Sequence, residues 1–242
     1  MAGDNPDHRK VVSIDGPVAA GKTTVARLLA NLLGAILFDT GTLYRAVTLA
    51  ALREGVSSDD EPALSQIARQ RQIDIDRPSR DDGRLYDVLL DSEDVTWAVR
   101  DPSVDRAVSA VSAHPTVREA LLPVQRRIAD GGVVVMVGRD IGTVVVPDAG
   151  VKIFLNASVK ERARRRFDEM QARGAATTME QVRADLIRRD AFDSNRPTSP
   201  LVAAKDATVV DSDGMTAEAA AAEIERLVRR VWATAETSAE TA

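Results

Sequence analysis

The chain has no cysteine among its 242 residues, so it can build neither a disulfide framework nor a thiolate metal site. It has two histidines, His8 and His114, too few for the usual imidazole zinc set. No apolar run approaches the roughly 18–20 residues that a membrane-spanning helix needs. The opening MAGDNPDHRK is polar and lacks the apolar centre of a signal peptide. No excess of positive charge is present either: 32 Lys and Arg stand against 37 Asp and Glu, a net charge of −5. That balance argues against a nucleic-acid-coating protein. A cytoplasmic protein without membrane or nucleic-acid partners is the expectation. Its length suffices to bury a sizeable core, and its hydrophobic share of 44% is ordinary for a globular protein.

Short β-branched runs alternate with helical patterns. KVVSID (10–15), AILFD (35–39), VVVMV (133–137), VKIFL (151–155) and ATVVD (207–211) read as strands. Their hydrophobicity is continuous, as in a parallel sheet covered on both faces. TVARLLANLLG keeps apolar residues at helical spacing and stops at Gly34; LYRAVTLAALREG does the same and stops at Gly55. PTVREALLPVQRRIADGG opens with Pro115 in the first helical turn. Alternation of this kind predicts an α/β fold with a parallel five-stranded sheet and helices on both of its faces.

Two regions break the rhythm. Residues 57–112 give a helix (EPALSQIARQR), two strands around an Asp-Asp-Gly turn (QIDID, RLYDVLLD) and another helix, a small α+β insertion. Residues 158–193 give two charged helical stretches joined at Gly174, a helical hairpin. The core is then expected at 10–56, 113–157 and 194–232, with residues 1–9 and 233–242 as flexible tails.

Directly after the first strand comes GPVAAGKTT: Gly16, Pro17, Val18, Ala19, Ala20, Gly21, Lys22, Thr23 and Thr24. It matches G-x-x-x-x-G-K-[ST] between a strand and a helix, the P-loop pattern. Such a loop wraps backbone N–H groups around a polyphosphate at the positive end of a helix. Lys22 is placed to reach the terminal phosphates, and Thr23 to offer a hydroxyl to a magnesium ion carried by the nucleotide. The motif binds a nucleoside triphosphate but does not separate kinase, switch or motor.

The third run, VVVMV, leads into a charged dipeptide, Arg139-Asp140, where an apolar strand reaches the carboxyl edge of the sheet. Unpaired charges there are costly. Arg45, one turn into the helix after FDT, arrives at the same edge, and Arg189 offers a third guanidinium from the hairpin. Converging forks of this kind suit a dianionic phosphate. In the basic run ERARRRF, a solvated surface competes with a role for Arg162 and Arg166 over the triphosphate. DSDG at 211–214 follows the last strand and reads as a turn.

GPVAAGKTT, LFDTGTLYRA, SAVSAHPTVREALLPVQR, VGRDIGTVVVPDA and RRDAFDSNR resemble the cytidylate kinases in order and spacing, from about Lys10 to Asp213. The resemblance implies a P-loop nucleoside monophosphate kinase, in which 57–112 is the monophosphate-binding insertion and 158–193 the lid. It implies transfer of the γ-phosphoryl group of ATP to CMP or dCMP with magnesium. By position, Lys22, Arg139 and Arg189 would be catalytic. Arg45, Arg139 and Arg189 would hold the acceptor phosphate, with Thr40 and Tyr44 at the monophosphate site. Ser109, Arg118 and Asp140 would face cytosine, and Asp193 the ribose. Two positions depart from the family pattern. Val18-Ala19 stands where Ser-Gly is usual, so Ala19 is expected to avoid a positive φ. Phe192 stands where an arginine is common, so one phosphate contact is either missing or supplied by Arg188 or Arg196. Before substrate arrives, Arg139 and Asp140 are expected to neutralise one another through water. The chain is expected to act as a monomer. The alternatives are a P-loop kinase for another monophosphate or metabolite, and a nucleotide-dependent binding module.

Overall fold

The computed structural model describes residues 8–76, 78–172 and 174–240. In chain order the elements are β1 (Val11–Asp15), α1 (Lys22–Leu33), β2 (Ile36–Asp39), α2 (Gly41–Glu54), α3 (Glu61–Gln70), β3 (Ile73–Asp76), β4 (Asp87–Leu90), β5 (Glu93–Asp94), α4 (Pro102–Val111), α5 (Pro115–Ala129), β6 (Val134–Gly138), β7 (Val151–Asn156), α6 (Val159–Ala172), α7 (Met179–Asn195), β8 (Thr208–Asp211) and α8 (Ala217–Glu240). All five runs read as parallel strands form one sheet, in the order β2-β6-β1-β7-β8. Two helical stops were legible: α1 and α2 end on Gly34 and Gly55, both in the left-handed region that closes a helix without Cβ strain. The last was not, since α8 continues to Glu240 through most of the stretch expected as a tail.

Burial across the sheet explains the hydrophobic runs. β1 and β6 lie at its middle and every residue of both is buried. β7 alternates buried and half-buried positions, and β8, at the edge, leaves Val209 59% exposed. β1 pairs parallel with β6 on one side and with β7 on the other. α1 packs on β1, β6 and α8, while α8 also reaches β7.

The chain divides into two compact units: the described residues up to Ile36 with those from Ala129 onward, and Leu37–Ile128. Within the second unit, β3-β4-β5 form a separate antiparallel sheet, one short strand more than the sequence suggested. The acidic edge of this sheet is neutralised residue by residue. Arg71 pairs with Asp91, Arg53 with Glu93, and Arg84 with Asp82, Asp87 and Asp94. The Arg84 side chain is 1% exposed, so these carboxylates compensate a charge withdrawn from water. Asp94 is held down to about 2 by hydrogen bonds from Thr96 and Arg84. In the same unit α5 runs straight through Pro123, a residue that removes a backbone donor and usually breaks a helix.

In the first unit, His8 is 7% exposed, with Nδ1 3.0 Å from Asp148 and Nε2 3.0 Å from Asp130. The carbonyl of the next residue, Arg9, lies where a Cβ on Gly150 would stand, 2.0 Å from it, so only glycine fits there. Burial alone lowers the His8 pKa, but the hydrogen bonds and charges of Asp148 and Asp130 prevail and raise it above 6.5. A folded-state pKa above the unfolded value gives stability that is fully present below about pH 6.5 and is lost as pH rises through the folded value. With both carboxylates half exposed, water screens the pair. His8→Gln should therefore lower Tm by about 2–4 °C at pH 6, and by less at pH 9, in thermal melts followed by circular dichroism. An equal loss at both pH values would mean that His8 contributes packing rather than charge.

Candidate active site

The phosphate loop leaves β1 at Asp15 and enters α1 at Lys22. Gly16 takes φ +151°, and a Cβ there would lie 2.1 Å from the Leu155 carbonyl oxygen; the backbone has to pass that close to β7. Lys22 is buried, and its Nζ donates to the carbonyls of Gly16 and Pro17 at 2.8 and 2.7 Å. Those neutral acceptors are ones a triphosphate can replace with better electrostatics. Thr23 sits half-buried in the first turn of α1. Beside the loop is a cavity of about 360 Å³ lined by Gly21, Thr24, Arg165, Arg166 and Met215 among others.

Ala19 adopts φ 62°, contrary to the expectation that it would avoid a positive value. The left-handed region costs an L-residue about 1–2 kcal/mol. Packing offsets this: Val18 and Ala19 lie against an apolar cluster of Ala163, Val182 and Leu186, from the facing sides of α6 and α7. Val18 and Ala19 are thus the loop's apolar contact with the helical hairpin.

The basic run splits by face. Arg164 is exposed and pairs with Glu161 and Asp168, as a solvated helix surface does. Arg162 is 4% exposed and turned inward, forming a fork on Asp190 at 3.0 and 2.7 Å while donating to Val18 O at 3.1 Å. Arg165, which the sequence reading passed over, donates to the carbonyls of Ala20 and Ser212. Ser212 belongs to the DSDG turn, confirmed as a turn by the Asp213 N–H donating to Asp211. Arg166 pairs with Glu169 and lines the cavity. Only the spacing i, i+3, i+4 could have announced which arginines face the loop, and it does not choose between faces.

On the neighbouring strand, β6 ends at Gly138 and Arg139-Asp140 follows. Each charge has a partner at or just past the end of α7. Arg139 Nε donates to Asp193 at 3.0 Å, and Asp140, 5% exposed, lies 3.7 Å from the Arg196 guanidinium. Arg188 turns outward to Asp185 and is 73% exposed, so of the two arginines considered near Phe192 it is Arg196 that is buried beside the corner. Phe192 itself is 44% exposed, and Arg189 is half-buried on α7.

In the second unit the predicted acceptor residues gather around α2. Thr40 is buried at its start. Arg45 donates to Asp105 at 2.5 Å and to Val99 O at 3.1 Å. The Arg118 guanidinium carbon lies over the Tyr44 ring, 5.2 Å from its centroid, a cation–π contact, and Arg118 donates to Ser112 O. The Ser112 hydroxyl in turn donates to Ser109 O.

Among the described residues no group of three His, Asp or Glu side chains is placed to hold a metal. A magnesium ion carried by a nucleotide would need little from the protein beyond one hydroxyl, and Thr23 carries one in the first turn of α1, so the donor set fits that kind of ion. Nor is any helix of the described residues long and apolar enough to cross a membrane.

A model of the cytidylate kinase family matches residues 12–230. The chain is 49% identical over 220 residues to a cytidylate kinase of Chloroflexus aggregans, covering 90% of this chain and 94% of that one. It is 48% identical over 222 residues to a cytidylate kinase of Geobacillus thermodenitrificans, covering 92% and 97%. A cytidylate kinase of Pelotomaculum thermopropionicum is 48% identical over 207 residues, covering 86% and 90%.

Geometry separates the two arginines that were grouped over the triphosphate. Arg162→Ala strands Asp190 and releases the Val18 carbonyl, which should cost about 2 kcal/mol, below the fully buried range because Asp190 is partly solvated. Arg166→Ala removes a partly exposed pair and should leave Tm within about 2 °C while weakening triphosphate binding. Thermal melts and nucleotide titration of both variants check this; a stable Arg162→Ala or a strongly destabilised Arg166→Ala would reverse the assignments.

Proposed function

The chain belongs to the cytidylate kinase family, and from that premise we infer how its residues carry out ATP-dependent phosphorylation of CMP or dCMP to CDP or dCDP. One observation carries the reading. β1 and β6 are parallel neighbours with Asp15 opposite Gly138, so the phosphate loop and the Arg139-Asp140 corner leave adjacent strands at the same level. A donor phosphate on the first and an acceptor phosphate on the second are then within reach of one another. Transfer needs little covalent help from the protein; it needs the two nucleotides in line and their charge neutralised.

On the donor side, Gly16 to Thr24 hold the phosphates of ATP, Lys22 exchanges its carbonyl partners for phosphate oxygens, and Arg166 reaches the nucleotide from α6. Magnesium, held by Thr23 and the nucleotide itself, supplies further neutralisation of phosphate charge. On the acceptor side, Arg45, Arg139 and Arg189 hold the monophosphate, with Thr40 and Tyr44 beside it. Ser109, Arg118 and Asp140 read the base, and Asp193 meets the ribose. Arg139 and Asp193 pair directly, so each charge is compensated by a contact that an acceptor phosphate and ribose would replace. The functional division we propose is a core of 10–56, 113–157 and 194–232, a monophosphate-binding insertion at 57–112 and a lid at 158–193. The lid closes to exclude water, which otherwise competes as the acceptor. The enzyme acts as a monomer in the cytoplasm, where its nucleotide substrates are.

A coupled assay of ADP release, with ATP and magnesium against a panel of monophosphates, tests the reading: CMP and dCMP should support turnover far above UMP, AMP and GMP. Lys22→Ala should leave the fold intact and reduce kcat by about 10²-fold or more, since it removes charge stabilisation that matters most in the transition state. Near-normal turnover would place Lys22 away from the transferred phosphate.

Base choice rests on Asp140. An ionised carboxylate only accepts hydrogen bonds, so it suits the exocyclic amino group of cytosine and opposes the carbonyl of uracil. A buried contact of this kind can reject the wrong base by roughly 10³-fold, because the mismatch also leaves a charge unpaired. Asp140→Asn should narrow the CMP:UMP ratio of kcat/KM, since an amide can turn its NH₂ towards uracil. A variant that keeps the full ratio while losing activity on both substrates would remove Asp140 as the base reader.

A further inference from the structure

The corner that presents Arg139 and Asp140 has a problem of its own. After Asp140 (φ −145°, ψ 25°) the chain enters a π-helical turn, Ile141–Val145, in which Val144 and Val145 both donate to the Asp140 carbonyl. The leading N–H groups of any helical turn have no partner within it. Here they belong to Ile141 and Gly142, both buried, so they need acceptors from elsewhere. The acceptor is the Asp15 side chain, 5% exposed: its Oδ1 takes the Ile141 N–H at 2.9 Å and its Oδ2 the Gly142 N–H at 2.8 Å. Both oxygens are used, which an asparagine cannot match. The fit is close, since a Cβ on Gly142 would lie 3.0 Å from Ser13 Oγ and 3.2 Å from the Lys152 stem.

The arrangement is expensive. Burial pushes the Asp15 carboxyl up to about 6 even though the Gly142 and Ile141 N–H groups pull it down; nearby Asp140 pushes it further up and Lys22 opposes.

We propose that Asp15 is a positioning residue for the acceptor: by gripping the N–H groups of Ile141 and Gly142 it sets the direction in which Arg139 and Asp140 leave β6. It also directly precedes Gly16, so one side chain ties the first residue of the donor loop to the acceptor corner. The proposal rests on the acceptor roles given above to Arg139 and Asp140.

Asp15→Asn keeps size and removes one acceptor. With CMP and ATP varied separately, KM for CMP should rise about tenfold while KM for ATP stays within about twofold, the signature of a misplaced acceptor contact in a folded enzyme. Amide hydrogen exchange at Ile141 and Gly142 should quicken while the thermal melt stays cooperative. An unchanged KM for CMP overturns the proposal, as does an equal rise in both KM values, which would mark a general structural role. If Asp15→Asn does not fold, Gly142→Ala decides the matter: it crowds the turn off Ser13 without touching the carboxylate, and a wild-type KM for CMP there overturns the proposal. Asp140→Asn, measured in parallel, separates this inference from the reading beneath it. A wild-type CMP:UMP ratio in that variant removes the acceptor reading and this proposal with it. A narrowed ratio beside a wild-type KM for CMP in Asp15→Asn removes the proposal alone.

Discussion

When Val11–Asp15 pairs in parallel with Val134–Gly138, both chains must leave the sheet at the same edge and in the same direction. Parallel strands gather their carboxyl ends on one side, and loops leaving there can meet around a ligand. Here one strand opens into the phosphate loop and its neighbour into the Arg139-Asp140 corner. Much that is unusual nearby follows from bringing these segments together: the close pass of Gly16 by β7, the Gly142 approach to Ser13, and a buried carboxylate at Asp15 bridging the gap.

Charge is the second constraint. A kinase of two anionic nucleotides needs cations, and each of those cations needs a partner of its own in the fold. The protein provides them from its own carboxylates: Asp193 for Arg139, Asp190 for Arg162, Asp105 for Arg45. These pairs differ in kind. Arg162–Asp190 is almost dry on the arginine side, is a fork, and adds a bond to the phosphate loop, so it reads as permanent structure. Arg139–Asp193 is single-bonded and partly wet, so a phosphate can displace it at small cost.

The helical hairpin is joined to the phosphate loop in two ways. Arg162 and Arg165 bond loop carbonyls, and the Ala163-Val182-Leu186 cluster receives Val18 and Ala19. A left-handed alanine is tolerated because the surrounding contacts over-determine it. Any movement of α6 and α7 is therefore felt by the loop that binds the triphosphate, and the reverse holds as well.

The amino-acid sequence alone determined the five strands of the parallel sheet and the helices that close on Gly34 and Gly55, because continuous apolar runs, helical periodicity and terminal glycines are local signals. It determined the phosphate loop for the same reason: the motif is contiguous, and a strand and a helix flank it. Arg139 and Asp140 stood out because two charges closed an apolar run. Tertiary structure decided the rest, and in each case the reason is distance along the chain. Asp15 meets Gly142 across 127 positions, so no window of sequence shows a carboxylate under the corner. Arg162, Arg164, Arg165 and Arg166 have the same local chemistry, and only the packing of α6 on the loop and α7 selects which are structural. The sign of φ at Ala19 went the other way from local preference because the hairpin supplies contacts that a dipeptide rule cannot count. Local energetics wrote the elements and the loop; long-range packing chose the partners of each charge.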